Sequence, residues 1–159
     1  MARGACLALL LALAAGCGFH LQGRAQLPPV VKTPYLEAPD RQTEFVTSLR
    51  HALLSNGAQL APQKADASAI VSILKDNVTR RVISVSAINQ PNEYEVSYTV
   101  TVSVSSSTKQ LIAPQVLTEV RTYSFSEPLL LAKGHEEDVL REDMARALAD
   151  RVMRLLSQI

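Results

Sequence analysis

From Tyr94 to Val104 two kinds of residue alternate without a break. Tyr94, Val96, Tyr98, Val100, Val102 and Val104 stand on one side, and Glu95, Ser97, Thr99, Thr101 and Ser103 on the other. Six matches to a period of two, rich in β-branched side chains, predict a strand with one apolar face. At about 3.4 Å per residue it extends over roughly 30 Å. So long an apolar face needs a cover, and the remaining elements must supply it.

The other elements follow from punctuation and period. Val30 to Leu36 reads as a short first strand, which Pro34 demotes to an edge. Asp40 is the expected N-cap of a helix over about 41–56, with Phe45, Val46, Leu49, Ala52 and Leu53 on its apolar stripe and Asn56-Gly57 as its stop. Ala69 to Lys75 is aliphatic on both faces and Asn77 to Val85 is more polar, which reads as a centrally placed second strand. Ser86 to Asn92 carries turn residues. After the polar turn Ser105 to Lys109, Val116 to Phe125 pairs back as a fourth strand. Leu129 to Gly134 crosses to a second helix over about 135–157, with Leu140, Met144, Leu148, Val152 and Leu155 as its stripe. The expected fold is α+β in the order β-α-β-β-β-α, two amphipathic helices on one face of a mostly antiparallel four-stranded sheet. The Ser/Thr face of the third strand is left for solvent or a partner.

The N-terminus carries a different message. Arg3, the apolar run Ala5–Ala15 and the small residues Ala14-Ala15-Gly16 form an export signal, too short to span a bilayer. Cys17 follows at once, so Ala14-Ala15-Gly16-Cys17 resembles the lipobox of bacterial lipoproteins. That resemblance implies cleavage after residue 16, diacylglycerol and an N-acyl chain on Cys17, and a tether over 17–29 leading to one domain over 30–159. Several acyl chains anchor stably where one does not. Gly18, which is not acidic, implies outer-membrane placement under the same resemblance. Removing sixteen of the 159 residues leaves 143, with Cys17 as the only cysteine and with 15 basic against 15 acidic side chains. No disulfide can form within that chain. Zero net charge argues against a nucleic-acid binder. With no Trp, the core must be aliphatic.

No catalytic constellation is visible, and no cofactor is implied. The serines lack a G-x-S-x-G turn. His135-Glu136-Glu137-Asp138 has no second histidine one turn on, so no zinc motif is formed, and it reads as an acidic helix start. His51 reads as a helix-surface residue. The basic residues Arg80, Arg81 and Lys133, the last in the loop before the second helix, are solvated surface or contacts for an anionic head group.

Cys17-Gly18-Phe19-His20-Leu21-Gln22-Gly23, Asn92-Glu93-Tyr94-Glu95-Val96, Arg121-Thr122-Tyr123-Ser124-Phe125 and Leu131-Ala132-Lys133 occur in this order along the chain. Together they resemble the LptE family of lipopolysaccharide-assembly lipoproteins. The resemblance implies two helices on one side of a four-stranded sheet. It also implies a non-enzymatic role as a plug and assembly factor in the lumen of the outer-membrane β-barrel LptD, with lipopolysaccharide as ligand. Lys133 matches the family's basic loop residue; a second basic position falls near Ala87, and whether Arg80 or Arg81 replaces it stays open. The alternative is a lipoprotein adaptor of another envelope-assembly complex.

Overall fold

The computed structural model describes residues 27–124 and 130–159, with the side chains of all but 130–136. The expected signal segment 1–16, Cys17 and most of the expected tether lie outside the described residues. Leu27, within the expected tether, is partly buried against the core.

Six elements follow: β1 (Pro34–Glu37), α1 (Glu44–Ser55), β2 (Ala69–Val85), β3 (Pro91–Ser105), β4 (Gln110–Ser124) and α2 (Leu130–Leu156). Two 3-10 turns, Pro29–Val31 and Lys64–Asp66, complete them. The expected first strand splits, since Pro28 and Pro29 initiate the turn and β1 starts only at Pro34. The sheet order is β1-β2-β3-β4. β1 runs parallel to β2 and the other two pairs are antiparallel, so the sheet is mixed.

Val96, Tyr98, Val100, Val102 and Val104 are all buried, as their alternation predicts. They share one core with Phe45, Val46, Leu49 and Leu53 of α1 and with Met144, Leu148, Val152 and Leu156 of α2. Both helices therefore cover the same sheet face. Their ends are set by local chemistry. Thr43, and not Asp40, is the N-cap of α1: its hydroxyl accepts from Val46 N at 3.2 Å and donates to Asp76 Oδ2 at 2.6 Å. Asp40 caps only a turn, accepting from Gln42 N at 2.8 Å. At the other end Gly57, at φ +87°, closes a Schellman motif through Ala58 N to Leu53 O and Gly57 N to Leu54 O.

β2 explains its own mixed pattern. Ile73 pairs with Val102 and Lys75 with Thr101, so Leu74 is the extra residue of a bulge. Before the bulge Ala69, Val71 and Ile73 face the helices. Beyond it the phase flips, and Asp76, Val78, Arg80 and Val82 lie across from Val100, Tyr98, Val96 and Tyr94 on that same face. The aliphatic run is thus a change of phase, and Leu74 is about half exposed.

Candidate functional site

Three surfaces emerge from this frame. The first is the sheet face away from the helices. Cross-strand register sets Thr79, Ser97, Thr99, Thr101 and Ser103 beside Thr118 and Thr122, with Thr99 and Thr118 hydroxyls 3.1 Å apart. Two ion pairs lie on it, Arg81 Nε donating to Glu95 Oε1 at 2.6 Å and Lys64 meeting Glu37 at 2.7 Å, while Lys75, across from Thr101, stands exposed with no carboxylate within 4.0 Å among the described residues. The Arg81 guanidinium holds the Glu95 carboxyl below the usual range. Val116 and Val120 add apolar patches on β4.

The second surface is the β2–β3 hairpin end. Val82, Ile83, Val85 and Ile88 are all exposed, Ile88 by 75%. Ser86 ties the turn by accepting Asn89 N at its carbonyl and Gln90 N at its hydroxyl, with Asn89 at φ 59°. Ala87 is exposed in this turn.

The third is a polar clamp between sheet and α2. Arg80 Nη1, Tyr123 hydroxyl and Arg141 Nη2 donate to the Glu137 carboxylate at 2.7, 2.8 and 2.6 Å. Arg80 also lies 4.8 Å over the Tyr94 ring, which stacks on Tyr123 with centroids 5.5 Å apart. The Glu137 side chain is only 12% exposed. Burial pushes its carboxyl up, but the hydrogen bonds from Tyr123, Arg80 and Arg141 outweigh this and hold it below the ordinary range. Burial, reinforced by Glu137, raises the Tyr123 hydroxyl.

Arg80 and Arg81 are therefore not one site. Consecutive strand residues point to opposite faces, so Arg80 joins the clamp and Arg81 the open face. Lys133 lies within α2, four residues before Glu137, because the helix starts at Leu130 and no loop precedes it at 133–134. The Lys133 side chain and Cys17 lie outside the described residues, as do the side chains of His135 and Glu136. His51 is exposed on α1, as expected of a surface residue. Among the described residues no group of His, Cys, Asp and Glu could hold a metal ion, and no helix is long and apolar enough to cross a membrane. Sequence reasoning missed Glu137 as a hub, reading it as a complement to the helix dipole. Its four-residue spacing to Arg141 was the visible signal.

Comparison with known proteins gives consistent results. A family model described as "LptE: Lipopolysaccharide-assembly" matches residues 31–156. The LPS-assembly lipoprotein LptE of Yersinia enterocolitica is 31% identical over 94% of this chain and 74% of its own length. That of Pectobacterium atrosepticum is 29% identical over 96% and 83% respectively. Among solved structures, lipoprotein B from Nitrosomonas europaea superposes with a TM-score of 0.72 at 24% identity, covering 88% of this chain and 90% of that one. The rare lipoprotein B from Shewanella oneidensis gives 0.69 at 23%, covering 79% and 94%.

Proposed function

This chain belongs to the LptE family, and on that premise we propose that it is an outer-membrane lipoprotein that plugs the LptD β-barrel, helps it assemble and binds lipopolysaccharide. Diacylglycerol and an N-acyl chain on Cys17 hold it to the membrane, and the domain does no catalysis. The observation that carries the plug role is the open sheet face. A barrel lumen is polar, and a hydroxyl-rich face with few charges, most of them joined as Arg81–Glu95 and Lys64–Glu37 with Lys75 left to meet a lumen partner, enters it at little desolvation cost. Amino-acid photocrosslinkers placed at Thr99, Thr101 and Thr118 in the living envelope test it. Adducts with LptD are expected, whereas adducts only with another envelope complex overturn the reading in favour of a different adaptor role.

Lipopolysaccharide contact is assigned to Lys133 and to the hairpin-side arginines Arg80 and Arg81. Each arginine must leave a carboxylate, Arg81 that of Glu95 and Arg80 that of Glu137, but Arg81 is the more exposed and has fewer partners to lose, so it is the readier replacement for the basic residue lacking near Ala87. Lys133→Glu and Arg81→Glu are expected to reduce lipopolysaccharide pull-down with the melting curve unchanged. Undiminished pull-down by both folded variants removes this site.

A further inference from the structure

Along the outer side of β1 runs a groove of about 240 Å³ that none of the three surfaces above includes. Its floor is apolar, made by Leu36, Val46 and Leu60, and its rim is Tyr35, Arg41 and Arg50. Arg41 Nη2 donates to the Tyr35 hydroxyl at 2.5 Å, with its guanidinium carbon 5.5 Å from that ring's centroid. Arg50 Nη2 reaches the Arg41 carbonyl at 3.5 Å. The two cations are thus gathered at one place by neutral partners alone.

This is unusual within the molecule. Every arginine of the sheet, and every one of α2 except Arg154, has a carboxylate within 4.0 Å. Arg41 and Arg50 have none among the described residues. Elsewhere among the described residues the fold neutralises its guanidinium groups, Arg154 apart; here it leaves two of them side by side, uncompensated, over hydrocarbon. A fork of this kind suits a phosphate, which it can grip bidentately, and the floor suits carbon chain next to that phosphate.

We infer that this groove binds the head group of an anionic phospholipid, the phosphate between Arg41 and Arg50 and the first carbons against Leu36, Val46 and Leu60. Position favours a phospholipid of the anchoring leaflet. Leu60 and Ala61 are held against the stretch directly after the tether, through Gln59 N to Lys32 O at 2.8 Å and Ala61 N to Pro34 O at 3.0 Å. The choice of leaflet lipid rests on the anchor proposed at Cys17; the phosphate chemistry does not. Head-group contact close to the anchor would set the angle at which the domain stands on the membrane.

The test is calorimetric titration of the full chain, held in neutral detergent, with short-chain dihexanoyl phosphatidylglycerol. Saturable binding is expected, with dihexanoyl phosphatidylcholine and inorganic phosphate each weaker by about tenfold or more. Arg41→Gln with Arg50→Gln should cost about tenfold in phosphatidylglycerol affinity, while Arg154→Gln should cost nothing. If the glutamine pair melts early, Arg41→Lys with Arg50→Lys keeps the charge, removes the fork and should still weaken binding severalfold. Equal binding by the folded pair variant overturns the inference, as does phosphate alone binding equally tightly. If the pair variant instead loses lipopolysaccharide, the assignment to a phospholipid fails. The lipopolysaccharide role stands or falls separately, on Lys133→Glu and Arg81→Glu.

Discussion

The two halves of this sheet are made of the same strands and held by different forces. Near β1, Val71, Ile73, Val100, Val102 and Val104 lie under both helices in an aliphatic core. Beyond the Leu74 bulge, β2 is exposed or half-buried at every residue to Val85; the N-cap of α1 touches it through Thr43 to Asp76, and the start of α2 reaches over Arg80. There the adhesion is the Glu137 clamp with its stacked tyrosines. Tyr98 marks the border. Fully buried, it accepts Phe45 N–H at 3.2 Å, and so ties mid-sheet to the first turn of α1. Apolar burial resists pH and salt, whereas a clamp of ion pairs can be opened by either. The half that is held electrostatically also carries the exposed hairpin tip and the start of α2, where the ligand contacts are proposed.

The comparison can be broken most severely in the aliphatic half. Leu148→Ala removes a fully buried side chain and should cost about 2–5 kcal/mol, lowering the whole denaturation midpoint. An equal cost from Val82→Ala, which is exposed, would erase the distinction between the halves. Next comes Glu137→Gln, which strands two guanidiniums that are partly solvated. About 1–3 kcal/mol is expected, read as faster amide exchange in residues 78–82 and 94–96 with Val100–Val104 unaffected.

Acid should reproduce that variant. The Glu137 carboxyl titrates lower in the fold than in the unfolded chain, so its contribution is complete above the ordinary glutamate value of about 4.3. It is lost as pH falls from there through the folded value. Amide protection in the far half, taken relative to the intrinsic exchange rate at each pH, should therefore fall in acid for the parent chain and fall much less for Glu137→Gln, where only the surface pair Arg81–Glu95 is left to titrate. Tyr98→Phe removes the acceptor at the border and should cost about 0.5–1.5 kcal/mol by denaturant titration. Burial, then the nearby Asp76 charge, raises the Tyr98 hydroxyl well above its ordinary value. Its stabilising effect is hence full below about pH 10 and declines at more alkaline pH. Smallest is Arg81→Ala, where loss of a solvent-screened pair is expected to leave the denaturation midpoint within error of the parent chain.

The aliphatic half was also the more legible one. Val96 to Val104 declare a strand because every second side chain enters one core, and the stripes of α1 and α2 declare helices for the same reason. Pattern fails where a non-local partner decides. Asp40 and Thr43 are both fit to cap a helix; Asp76, thirty-three residues away, accepts from Thr43 and selects it. Leu74 looks like part of a two-sided aliphatic run because a bulge shifts the phase of β2, and no local residue type announces the shift. The opposed directions of Arg80 and Arg81 were readable from the two-residue period, but the adjacency of their charges invited treating them as a pair. Glu137 was hidden because its three donors come from β2, β4 and α2, and only the finished fold assembles them.

The four-residue β1 has a consequence for the order of events in assembly. Its partners Ala69 to Ser72 lie thirty-five residues downstream, with all of α1 between. Closing so wide a loop for four ladder positions delays pairing relative to the neighbouring β2–β3 and β3–β4 hairpins. A chain threaded through a membrane from its N-terminus would present β1 early and seat it late. The turn Pro29–Val31 that leads into β1 would then stay unseated until most of the body had followed.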